Sequence, residues 1–186
     1  MKKLSLIGLA SACLLLAACQ SSSYQIKGTA KEMRNGDTLY LTTDLSTRIP
    51  IDTIIVNDKS FEIAGTTDTT RLSMIYAAHH PEINVSFFMT PGDIRIILRN
   101  KGSRVEGPSI NNYWQALNDS IESYGIEMKD IAQLVYGDPQ ISIDLKKKLI
   151  DKMSAVDKKI KRKIKEVADQ HKDDELGRFI NKNFQE

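Results

Sequence analysis

One change of period, at Gly107-Pro108, divides this chain and restricts it to a β-rich front followed by a helical back. From Tyr24 to Gly107, short runs of β-branched and aromatic residues are broken by turn residues, the pattern of strands joined by tight connections. "YQIKGTA" alternates, and "RNGD" supplies an Asn-Gly turn ahead of "TLYL". "IPIDTIIV" and "SFEIAG" flank "NDK" as the arms of a hairpin. "LSMIYAA", "NVSFFM", "DIRIIL" and "RVEG" follow, with turns at Pro91-Gly92 and Lys101-Gly102. About eight strands at this spacing predict an antiparallel β-sandwich over residues 24–108.

After Pro108, Ile110, Trp114, Leu117, Ile121, Tyr124, Met128, Ile131 and Val135 recur at alternating steps of four and three, one apolar seam on one helix. Ser109 is the expected N-cap and Gly137 the expected stop. Asp138-Pro139 has the form of an N-cap and first helical residue for a second helix. That helix carries Leu145, Leu149, Met153, Val156, Ile160, Ile164 and Val167 on one face. The short link sets the two antiparallel, so Trp114, Ile121 and Met128 are expected against Met153, Val156 and Ile160. The rival is a coiled-coil dimer in which the same seams pair between chains. "DDELGRFINKNF" predicts a short third helix with acidic residues at its positive end. The expected fold class is therefore α+β, with a helical hairpin and a third helix over residues 109–186.

The front of the chain carries an address. Lys2 and Lys3 precede an apolar stretch from Leu4 to Ala18, too short for a bilayer span but suited to a signal peptide over residues 1–18. Leu16-Ala17-Ala18-Cys19 resembles the lipobox of bacterial lipoproteins, so Cys19 is expected to carry lipid and residues 19–23 to form a short tether. Cys13 would be removed and Cys19 blocked, leaving the mature chain without a free thiol or an internal disulfide. A diacyl anchor on Cys19 is the expected membrane attachment. The polar residues Gln20 to Ser23 lack an acidic cluster of the kind that resembles a surface-export signal. The expected location is thus the bacterial envelope, the outer membrane with the body facing the periplasm.

Charge excludes little. Basic residues number 26 and acidic residues 24 over the whole chain, near neutrality and without a general attraction for nucleic acid. The distribution is more telling, at net −4 over residues 109–143 and net +7 over 144–165. The run "KKKLIDKMSAVDKKIKRKIK" lacks the interleaved aromatics of a nucleic-acid surface and is expected to be a solvated helix face. Of the acidic residues on the first helix, only Glu127 flanks the seam toward it.

Catalytic and metal chemistry find no foothold. In "HHPE" the adjacent His79 and His80 point to opposite faces, and His80 with Glu82 makes two ligands, too few for zinc. His171 lies far along the chain. "GPSIN" is a helix start rather than a nucleophile elbow, and there is no phosphate-binding loop. No catalytic residue, cofactor or metal is expected, and the chain is not expected to be an enzyme.

Four stretches in order, "IKGTAKEMRNGDTLYL", "IDTIIVNDKSFEIAG", "FFMTPGDIRIIL" and "VEGPSIN", resemble the domain of unknown function at the front of thioredoxin-like, thiol-disulfide interchange lipoproteins of the Bacteroides type. The resemblance covers roughly residues 24 to 135 and rests on Gly28, Asn35-Gly36-Asp37, Phe61, Gly65, Pro91-Gly92-Asp93 and Gly107. It implies a solo member, ending where the thioredoxin-like domain of longer relatives would begin, with no redox residue to carry over. Two functions follow as expectations: a non-catalytic, membrane-anchored binding or interaction module, or an accessory scaffold for a separately encoded thioredoxin-like partner.

Overall fold

The computed structural model describes residues 22–184; Cys19, the segment before it and the expected signal peptide lie outside the described residues. Eight strands precede three helices: β1 (Ser23–Thr29), β2 (Thr38–Thr42), β3 (Asp52–Ile55), β4 (Ser60–Thr66), β5 (Arg71–Ala77), β6 (Asn84–Met89), β7 (Gly92–Ile97), β8 (Arg104–Glu106), α1 (Ser109–Gly137), α2 (Ile143–Gln170) and α3 (Glu175–Phe184). The α+β class is as expected. The strands form two four-stranded sheets, ordered β4-β1-β7-β8 and β3-β2-β5-β6. All neighbours are antiparallel except β1 and β7, which run parallel with Ile26 beside Ile94. The chain leaves β6 in one sheet and turns through Thr90-Pro91 into the other, arriving beside β1 in the same direction. Alternation of apolar and polar residues is identical for either direction, so this pairing has no signature in the pattern.

Each sheet turns alternate side chains inward. Ile26, Ile94 and Ile96 meet Leu39, Leu41, Ile75 and Phe87 in one core, all at most 1% exposed. The hairpin between β3 and β4 closes one side through Asp58 and Lys59, both at positive φ (46° and 57°), in a two-residue turn. On the other side the gap between β6 and β8 is filled by α1, which runs antiparallel to both. Buried Asn111 accepts from the Phe88 amide (2.7 Å) and donates to its carbonyl (2.9 Å), and Gln115 Oε1 accepts from the Val105 amide (2.8 Å). Two side-chain amides thereby supply what a further strand would have supplied to each exposed edge.

Local starts differ from expectation. Pro108, not Ser109, occupies the cap position of α1 and offers no side-chain cap. Asn112 instead holds both backbone groups of Gly107. Asp138 makes a local turn to the Gln140 amide (2.8 Å), and α2 begins four residues later under Ser142, whose hydroxyl accepts from the Leu145 amide. Two capping residues are available here, and the one whose hydroxyl accepts from an amide three residues on starts the helix.

The hairpin itself is as expected, but its seam is divided. Trp114 and Leu117 lie in the sandwich core with Ile121 packed against it, whereas Ile131 and Val135 form a second cluster with Leu149 and Val156, joined by Met128, Met153 and Ile160. Trp114 and Ile121 therefore do not meet Met153, Val156 and Ile160; Met128 does. Trp114 donates to the Ser86 carbonyl (3.0 Å) and stacks edge-on with Phe88 and Phe179 at 5.7 and 5.6 Å. Phe179 comes from α3, whose Leu176 and Ile180 are fully buried in the same core. His171, far along the sequence, folds back to lie 4.4 Å from the Tyr113 ring, with Nδ1 2.6 Å from Asp174, the residue that caps α3.

Candidate binding surface

The outward side of the β4-β1-β7-β8 sheet carries the feature that the strand pattern concealed. Opposite the core residues, Glu62, Lys27, Arg95 and Glu106 line up across all four strands at one level, by register. Lys27 reaches Glu62 at 3.9 Å, while Arg95 makes no ion pair among the described residues. Lys27 and Arg95 are direct neighbours on parallel strands, an arrangement of like charges that disfavours the free sheet. Four residues further along each strand's chain, beyond the ends of β1 and β7, Lys31 and Arg99 lie on the same side. The four cations, with Glu62 and Glu106, line an open groove of about 800 Å³ whose exposed apolar surface comes from Ile55 and Ile97. Such a surface can hold an extended ligand that offers anionic groups along an apolar spine. Neither "IKGTAK" nor "DIRIILR" marks it alone; the cations converge only because β1 and β7 are parallel neighbours.

The residues behind the family resemblance are structural. Gly28 lies under its cross-strand partner Phe61, where a Cβ would sit 2.0 Å from the ring, and Gly65 lies likewise under Tyr24. Burial of Tyr24, with the nearby Asp52 carboxylate, raises its phenol pKa. At Gly107, φ 142°, a Cβ would run into the Asp93 carbonyl, leaving no room for a side chain. Asn35 accepts from the Asp58 amide (2.9 Å), fastening the Asn35-Gly36-Asp37 turn to the β3–β4 hairpin.

The remaining sequence candidates stay apart. His80 Nδ1 lies 3.2 Å from Glu82 Oε1 on the surface, and among the described residues no third His, Cys, Asp or Glu joins them. His79 is exposed in the same loop. Glu127 is indeed the residue that meets the basic helix, with Lys159 Nζ at 3.3 Å. Among the described residues, no helix is long and apolar enough to cross a membrane.

No curated protein matches the chain. Residues 24–114 match the family described as Domain of unknown function (DUF4369), a span shorter than the resemblance suggested and ending at Trp114, inside α1. It is the sandwich and the opening turns of the helix that closes it that match the DUF4369 family.

Proposed function

We propose that this protein is a non-catalytic envelope lipoprotein, held by lipid on Cys19 in the outer membrane with its body in the periplasm, that works as a binding module. The observation that carries the reading is the cationic groove on the outer sheet face, where Arg95, Arg99 and Lys31 have no carboxylate partner among the described residues. Like charges held side by side by strand register gain most from an anionic ligand laid across them. The anchor rests on the Leu-Ala-Ala-Cys motif and the signal-peptide layout ahead of it.

Two variants test the two parts. Cys19→Ser should shift the protein from the membrane fraction to the soluble one; retention in the membrane would remove the anchor. Arg95→Ala with Arg99→Ala should leave the fold and location unchanged but lose whatever component of the solubilised envelope the wild type captures. Equal capture by wild type and variant would remove the groove. Co-purification of a Cys-x-x-Cys protein by both would favour the scaffold role instead.

A further inference from the structure

The outer end of the hairpin leaves one groove uncovered. It runs between α1 and α2 as two adjoining clefts that share Leu134, one over Leu149 and the other over Ile131 and Val156, with Leu134 and Leu145 at its lip, 60% and 50% exposed. Its α1 rim carries Glu127 and Asp130, and its α2 rim carries Lys152 and Lys159. We propose that this groove is an interface between two copies of the chain, packed hairpin to hairpin as a four-helix bundle about a two-fold axis parallel to the helices.

Charge selects both the occupant and the axis. Beyond Glu122, α1 carries Glu127 and Asp130 against Lys129, and α2 from Asp144 to Lys159 carries six basic residues against three acidic. A two-fold axis along the helices sets each α1 against the partner's α2, so every adjacent pair is opposite in sign and like charges meet only on the diagonals. An axis across the helices would stack α1 on α1 and α2 on α2, acid on acid and base on base. The pairing of Glu127 with Lys159 fixes the heights within one hairpin. Asp130, one turn outward of Glu127, then falls between the levels of Lys159 and Lys152, two positions it faces on the partner. Asp130 and Lys152 have no ion pair within their own chain among the described residues.

The geometry of the body agrees. Tyr24 pairs with Gly92, and Gly92 packs on Pro108, so β1 and α1 start at the same end of the molecule. Beyond Glu122, the last α1 residue bordering a cleft with β6, α1 continues roughly 22 Å to its turn. A lengthwise axis keeps both Ser23 ends on one side, which suits two chains tethered at one surface, although the interface does not require the tether. Two helices about 20 Å wide over that length cover roughly 450 Å² per copy, the size of a weak, exchanging dimer.

The test is oxidative cross-linking of the full chain in cells, with one cysteine introduced at a time. Leu134 faces the axis, so Leu134→Cys should give a disulfide-linked species of twice the mass. Lys129→Cys, on the opposite face of α1, should give at least tenfold less. Lys152→Glu added to Leu134→Cys should lower the yield about tenfold, and a further Asp130→Lys should restore it. Absence of the dimer from a normally folded Leu134→Cys chain, equal yields from Lys129→Cys, or a cross-link to a different protein alone would each overturn the proposal. So would a yield indifferent to Lys152→Glu.

Discussion

The two halves of α1 carry the same apolar repeat and live in different surroundings. From Ile110 to Ile121 the seam faces a core built by both sheets and α3, and the helix's own amides complete the edges of β6 and β8. From Tyr124 to Val135 the seam faces α2 alone, in a small cluster held by Ile131, Val135, Leu149 and Val156. A three-four repeat reports that a face is buried; what it is buried against depends on which elements reach that height. The inner half is therefore bound to global unfolding, whereas the outer half can open while the sandwich stands.

Truncating one residue in each half measures that difference. Trp114→Ala removes an indole at 6% exposure, its hydrogen bond to Ser86, and the partner of two edge-on aromatic contacts. It should cost about 3–5 kcal/mol of global stability in denaturant titration. Ile131→Ala should cost about 2 kcal/mol, at the low end for such truncations because a two-helix cluster can close over the lost atoms. Its effect should concentrate in hydrogen exchange of residues 124–160, leaving the strands' protection almost unchanged. Uniform loss of protection across strands and hairpin in Ile131→Ala would dissolve the distinction between the halves.

The sandwich was legible where local chemistry governs. All eight strands, the Asn-Gly turn and the hairpin around "NDK" follow from alternation and turn residues. Helix limits were less so, since Ser109 and Asp138 give way to Pro108 and Ser142 at the cap positions, and residue type alone does not rank neighbouring candidates for one helix start. The burial of α3 was not legible: Leu176, Phe179 and Ile180 form an ordinary amphipathic stripe until Trp114 and Phe88 are brought to it. The cationic groove was hidden for a related reason. Lys27 and Arg95 stand far apart in sequence, each at an unremarkable solvent-facing strand position, and only the parallel pairing of β1 with β7 makes them neighbours.

Acid offers the mildest probe of the same contrast, and it should act on the sandwich side. Asp44, in the loop between β2 and β3, accepts from the Ser46 hydroxyl (2.6 Å), the Thr47 hydroxyl (2.7 Å) and the amides of both residues (2.9 and 3.1 Å). The Ser46 hydroxyl leads these effects, and together they hold the Asp44 carboxyl well below the usual carboxylate range. A carboxylate whose folded value is depressed contributes stability above its unfolded value, near 3.9, and loses it as the pH falls further. The loop should accordingly loosen only below about pH 4, while the outer hairpin, whose one interhelical ion pair among the described residues is exposed, responds little. In a carboxyl-detected NMR titration Asp44 should protonate well below the ordinary aspartate value, and Asp44→Ala should free the Ser46 and Thr47 amides at neutral pH. Protonation of Asp44 at the ordinary aspartate value, or acid broadening that begins in residues 124–160, would contradict the assignment of this loop as the more acid-sensitive of the two regions.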